Sequence, residues 1–117
     1  MSVRVERIYD AGEGGYRVLV DRLWPRGISK ARAALDEWCR DVAPSTELRQ
    51  WYGHDPDRFE EFVQRYRAEL EVEPAATALA HLQDLAARGS LTLLTATRDV
   101  DRSAAAVLLG SVLQNSG

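Results

Sequence analysis

Leu91-Thr92-Leu93-Leu94-Thr95, running on into Ala96-Thr97-Arg98-Asp99, is the stretch on which the fold turns. Five uncharged residues that follow Gly89 and end in a polar segment have the pattern of a strand buried on both faces. Such a strand needs a layer above it and another below it, so the rest of the chain must supply covering helices. Just upstream, Pro74 opens a segment in which Ala75, Ala78, Leu79, Leu82, Leu85 and Ala86 keep helical period, with Arg88 in the last turn and Gly89 beyond it. A helix that leads into a strand is a crossover, and it predicts that 91–95 lies parallel to an earlier strand over 16–22.

Working outward, residues 3–9 and 16–22 are rich in β-branched and aromatic residues, and the intervening 11–15 contain three glycines. So short a connection predicts an antiparallel hairpin. A phosphate-cradling loop would lead into a helix, whereas this one leads into a strand and carries Glu13. Ser29 has the chemistry to cap a short helix over 30–34, and Ser45 to cap a second in which Leu48, Trp51 and Tyr52 precede Gly53. Asp55 and Pro56 start the clearest helix, with Phe59, Phe62, Val63, Tyr66 and Leu70 on one face and Arg58, Glu60, Glu61, Arg65, Arg67 and Glu69 on the other. Asp101 is expected to cap a last helix carrying Ala104, Val107, Leu108 and Val112. The sum predicts a single α/β domain over 1–117, with a small mixed sheet (an N-terminal hairpin plus a later parallel strand) packed against about four helices.

Composition narrows the function classes. With 117 residues, 45% apolar and 28% charged, the chain suits one globular domain rather than a disordered or fibrous protein. Its single cysteine, Cys39, cannot close an intramolecular disulfide, and one Cys with two His does not make a usual zinc site, so no metal is expected. No cationic-then-apolar leader follows Met1, and no stretch approaches the roughly 18 apolar residues of a membrane span, which predicts a soluble, cytoplasmic protein with no membrane partner. The net charge of −3 is uneven: residues 1–54 hold nine cations and eight anions, and residues 55–84 hold three and eight. A broad basic footprint for duplex nucleic acid is absent. Of fifteen cations only Lys30 is a lysine, the rest being arginine.

Both central strands run into arginine-bearing polar segments, 21–27 after the first and 95–99 after the second. If the strands are parallel neighbours, these segments meet at the carboxyl edge of the sheet, where open α/β sheets bind ligands. Arg22, Arg26 and Lys30 recur every fourth residue, a set of cations suited to phosphate or carboxylate. Trp24 adds a flat apolar face and one N–H donor, and Pro25 with Gly27 makes an irregular turn. The competing reading has Arg22 and Arg26 paired with Asp21, Asp99 or helix carboxylates while Trp24 fills the core. Cys39, between Trp38 and Arg40, reads as a half-buried packing thiol. His54 and His81 read as structural or surface residues. Asp10, Asp21 and Asp99 could serve a Mg²⁺ ion or a general base, but no spacing demands it, and no Ser-His-Asp pattern stands out.

These blocks together, Arg7-Ile8-Tyr9-Asp10, Tyr16 to Gly27 as YRVLVDRLWPRG, the Trp38 segment ending in Pro44 and Ser45, Leu48 with Arg49, Phe62, Tyr66 and Leu70, and LTLL from Leu91, resemble the domain of unknown function 488 (YeaO-like) family over nearly the whole chain. The resemblance implies a small α/β domain without an established activity. Its shared positions fall on Asp21, Arg22, Trp24, Pro25, Arg26, Gly27, Lys30, Trp38, Pro44, Ser45, Leu48 and Arg49. Members usually carry an aromatic residue where this chain has Thr95, a Lys at Arg98, and an Asn-His pair at Ser103 and Ala104, so a role for that His does not transfer here.

The expectation is therefore a domain that binds an anionic small molecule, a nucleotide or phosphorylated metabolite, through Asp21, Arg22, Trp24, Arg26, Lys30, Arg49, Thr97 and Arg98. Neither a reaction nor a cofactor is named by these residues. Two alternatives use the same surface differently: a module for single-stranded nucleic acid that stacks bases on Trp24 or Trp51, or a protein-interaction or homodimer domain anchored by exposed Trp51 and Tyr52.

Overall fold

A computed structural model of the chain describes residues 2–10, 12 and 14–114. Among them, four strands form one sheet: β1 (Val3–Arg7), β2 (Tyr16–Leu19), β3 (Glu37–Trp38) and β4 (Leu91–Thr95). Five α-helices accompany it: α1 (Lys30–Ala33), α2 (Thr46–Tyr52), α3 (Phe59–Glu69), α4 (Ala75–Arg88) and α5 (Ala104–Leu113). Strand order is β1-β4-β2-β3 and every pairing is parallel.

The single α/β domain stands as expected, and so does the parallel register of β4 with β2, in which Leu91 faces Tyr16 and Leu94 faces Leu19. The N-terminal hairpin and the mixed sheet do not. β4 lies between β1 and β2, and the two N-terminal strands point the same way. The reason is reach: at roughly 3.3 Å per residue, eight residues can extend up to about 26 Å, enough to run back past a five-residue strand about 17 Å long without a helix. Gly15 closes that return against β4 with φ of +69°, and a Cβ there would stand 3.1 Å from Thr92 Oγ1 and 3.3 Å from the Ser90 carbonyl oxygen. Ala11 and Glu13, part of the expected hairpin loop, lie outside the described residues.

Alternation along β2 and β4 divides the core. Val18, Val20, Leu91 and Leu93 face the larger layer, with Tyr66 and Phe62 of α3, Leu82 of α4, and Leu108 and Val112 of α5. Leu19 and Leu94 face the other side, where Ile8, Ile28 and Ala33 close a smaller core with Trp24 and Trp38. All five residues of β4 are buried, as a strand covered on both faces must be.

The caps follow side-chain chemistry. Ser29 accepts from the Arg32 amide at 3.1 Å and Ser45 from the Leu48 amide at 3.1 Å. Gly53, at φ of 51°, ends α2. Asp55 caps a 3-10 turn over Pro56–Arg58, and α3 begins only at Phe59. The last helix is capped by Ser103, whose Oγ accepts from the Ala106 amide at 3.2 Å, and not by Asp101, which sits in a 3-10 turn over Val100–Arg102. A serine two residues on offers the same chemistry, and the intervening turn gives it the cap position.

Candidate functional site

Parallel pairing brings the ends of β2 and β4 to one edge. The Val20 amide donates to the Leu94 carbonyl at 3.0 Å, and the Ile8 amide to the Thr95 carbonyl at 2.8 Å. Beyond these bonds the chain opens into a cleft of about 920 Å³, within the size range of small-molecule sites. Its walls come from 20–26, from 43–50 with Tyr52 and His54, and from 96–104, with Tyr9 and Phe62 completing them. Asp21, Arg22, Trp24, Arg26, Arg49, Thr97 and Arg98 all line this cleft. Lys30 does not: it is the exposed first residue of α1, because the 25–29 turn carries the chain away from the sheet edge before α1 starts.

At the base sits Asp21. Its Oδ1 accepts from Thr95 Oγ1 at 2.8 Å and its Oδ2 from the Ala96 amide at 2.7 Å, so one carboxylate ties the two strand ends together. Its own carbonyl accepts from Trp38 Nε1 at 2.7 Å. Burial pushes the Asp21 carboxyl above its ordinary value, while the hydrogen bonds from Ala96 and Thr95 and the Arg49 charge pull the other way.

One arginine of the cleft is held by the backbone, and none of the four has a carboxylate partner among the described residues. Arg22 donates from Nε to the Pro44 carbonyl at 3.3 Å and from NH2 to the Ala43 carbonyl at 3.1 Å. That wall is itself anchored to α3. The Tyr66 hydroxyl donates to the Val42 carbonyl at 2.5 Å, and Glu69 accepts from the Ser45 amide at 2.8 Å and from its hydroxyl at 2.6 Å. Among the described residues, no carboxylate lies within 4.0 Å of Arg22, Arg26, Arg49 or Arg98. The ion-paired reading of Arg22 and Arg26 therefore does not hold. Asp99, the other carboxylate of the lining, is paired with Arg102 at 3.1 Å.

Trp24 is half-buried and does less than expected. Its N–H is spent on the Ile28 carbonyl at 2.6 Å, and its ring meets Trp38 edge-on with centroids 5.2 Å apart. Its ring contributes to the cleft wall, but its donor is already engaged. Sequence reasoning missed Tyr9, whose hydroxyl donates to the Arg26 carbonyl at 2.9 Å and which lies under the Arg7 guanidinium. Nothing in local spacing ties Tyr9 to a segment seventeen residues later; only the strand order does. Arg49 was reached through the family resemblance alone.

Other candidates are moved aside by their surroundings. Cys39 is buried rather than half-buried, burial pushes its thiol up to about 11, and it does not line the cleft. His81 is exposed and bonds Glu37 at 2.9 Å, joining α4 to β3. Tyr52 is 5% exposed, packed on Phe62 with its hydroxyl on the Arg102 carbonyl at 2.8 Å, and Trp51 is half-buried beneath Arg58 and Arg65. The pair is not the exposed anchor imagined from the sequence. Among the described residues, no group of three His, Cys, Asp or Glu is arranged to hold a metal ion, and no helix is long and apolar enough to cross a membrane.

Comparison with known proteins adds the family. An uncharacterised protein of Mycobacterium tuberculosis is 53% identical over 108 residues, covering 91% of this chain and 89% of that protein. The uncharacterised protein YeaO of Escherichia coli is 42% identical over 111 residues, covering 92% of this chain and 94% of YeaO. No solved structure matches. A family model described as the inactive DUF488-N3 subclade matches residues 2–116, and the chain accordingly belongs to the DUF488 family, within that subclade.

Proposed function

We propose that this protein binds a phosphorylated or nucleotide anion in the cleft at the strand carboxyl ends, and does so without turning it over. The observation that carries the reading is the set of four arginines, Arg22, Arg26, Arg49 and Arg98, that surround one concavity with no carboxylate partner among the described residues. Guanidinium groups without carboxylate partners around one concavity attract an external anion. Arg22 is the most fixed of them: two of its five N–H donors are engaged by carbonyls, and three remain for a ligand.

Binding without turnover is supported by two hydroxyls at this edge that are already engaged, those of Ser103 and Thr95. Ser103 Oγ donates to the Val100 carbonyl at 2.6 Å and accepts from the Ala106 amide. Thr95 Oγ1 donates to Asp21 and accepts from the Thr97 amide at 3.2 Å. Ala104 lines the cleft with a methyl group. The subclade's description as inactive agrees with a site built to hold rather than to react.

Thermal melts in inorganic phosphate and in adenosine 5′-monophosphate test the reading. A ligand at a hundredfold excess over Kd stabilises by about 2.7 kcal/mol, an upward shift of several degrees. Arg26→Ala is expected to change ligand-free stability by less than about 1 kcal/mol, because the side chain is exposed, and to remove the ligand-dependent shift. No shift for the wild-type protein with either anion, or an undiminished shift in the variant, contradicts the proposal.

A further inference from the structure

Among the cleft's charged side chains Asp21 is the odd one. It is a carboxylate at the base of the cleft, and among the described residues no basic side chain lies within 4.0 Å of it, whereas Asp99, the other carboxylate of the lining, is paired with Arg102. A carboxylate has about four acceptor positions, and Asp21 uses two, one for Thr95 and one for Ala96. Arginine donors would complement it, but among the described residues none lies within 4.0 Å, so the remaining acceptor capacity of Asp21 is open to a donor from outside.

We infer that Asp21 is the specificity-determining residue of the cleft, accepting a ligand hydroxyl beside a phosphate held by Arg22 and Arg49, so that the ligand class is hydroxylated phosphate esters, whether free sugar phosphates or the ribose phosphate of a nucleotide. The inference rests on the anion-binding reading and narrows it. Two effects of one carboxylate produce the selection. It accepts a hydrogen bond from a hydroxyl, and a charge-assisted bond of this kind is stronger than a neutral one. It also repels a second bare anionic charge placed beside it, which counts against inorganic polyanions. Its backbone and both oxygens are fixed, so neither effect needs the side chain to reorganise.

Titration calorimetry with methyl phosphate, ribose 5-phosphate and adenosine 5′-monophosphate tests this in the wild type and in Asp21→Asn. Asparagine keeps the local bonds, its oxygen accepting from Ala96 and its amide donating to Thr95 Oγ1, so the variant is expected to fold. The wild type should bind ribose 5-phosphate about tenfold or more tighter than methyl phosphate, the worth of one charge-assisted hydrogen bond. In Asp21→Asn the two affinities should move in opposite directions, ribose 5-phosphate weaker and methyl phosphate tighter, which a merely structural role does not produce. Adenosine 5′-monophosphate binding more tightly than ribose 5-phosphate supports a nucleotide source, and equal binding supports a free sugar phosphate. Equal binding of methyl phosphate and ribose 5-phosphate by the wild type overturns the role of Asp21 and leaves the anion cleft standing. Parallel weakening of both in the variant also overturns that role. Failure of the wild type to bind any of the three overturns the anion cleft and this inference together. If Asp21→Asn does not fold, the wild-type comparison alone decides.

Discussion

The helical layer and the strand-end cleft use the same residue, arginine, in opposite ways. On the helices and their flanking turns, Arg58 answers Asp55 at 3.6 Å, Arg65 answers Glu61, and Arg88 answers Asp84 at 2.9 Å, each a local pair three or four residues apart. In the cleft, Arg22 is oriented by backbone carbonyls, and Arg26, Arg49 and Arg98 join it without a carboxylate. Exposed local pairs contribute little to stability and satisfy themselves. Guanidinium groups around a concavity with no carboxylate partner are open to water or to an anion from outside. The stability of this protein should therefore reside in the layer behind the sheet, and its ligand binding at the sheet edge.

The largest expected effect that can break this division is Phe62→Ala. Phe62 is 1% exposed between Tyr52 and Tyr66, and its truncation should cost about 3–5 kcal/mol in denaturant unfolding, as large aromatic deletions in cores do. A loss below about 1 kcal/mol would mean that the core behind the sheet is not where stability lies.

Tyr66→Phe should come next, at about 1–3 kcal/mol, because it leaves the Val42 carbonyl without its buried donor. This variant links the two regions, since the wall anchored by Tyr66 carries the carbonyls that orient Arg22. Anion affinity should fall with it even under conditions where the protein remains folded. Unchanged affinity would separate the wall from the site.

Cys39 sharpens the comparison through pH. Its folded thiol is raised from 9.0 to about 11, so the protonated form favours folding: the contribution is complete below pH 9 and lost as pH rises toward 11. Alkaline unfolding curves should steepen in that window for the wild type and less so for Cys39→Ala, with anion binding at neutral pH the same for both. Rapid thiol labelling of the native protein near neutral pH would contradict the burial.

The smallest effects belong to Arg65→Ala and Lys30→Arg. Arg65→Ala removes an exposed pair and should change stability by about 0.5 kcal/mol or less without touching anion affinity. Lys30→Arg should change neither, because Lys30 stands on α1 outside the cleft. A measurable loss of affinity in Lys30→Arg would return that lysine to the site.

How much of this was legible follows from which residues speak locally. Leu91 to Thr95 declared a doubly covered strand because burial on both faces leaves no alternation to read. Ser29, Ser45 and Gly53 declared helix ends because capping is a matter of one or two side chains. The order of the strands is not legible at residues 11–15, where a short glycine-rich connection fits a hairpin and a return run equally well, and only the insertion of β4 decides between them. The two-residue strand Glu37–Trp38 has no periodicity to show. At the site, Arg22 and Arg26 were legible because they follow a strand end directly. Lys30 was carried along by a spacing that the turn at 25–29 breaks, and Tyr9 was invisible because its partner is a backbone carbonyl across the fold.

The most direct test of anion binding by the cleft arginines is an NMR titration that follows arginine side-chain Nε–Hε signals as adenosine 5′-monophosphate is added to the wild-type protein. Saturable shifts are expected at Arg22, Arg26, Arg49 and Arg98, with Arg58, Arg65 and Arg88 unmoved at the same concentrations. Shifts concentrated on the helical arginines, or spread evenly over both sets without saturation, would contradict binding in the cleft.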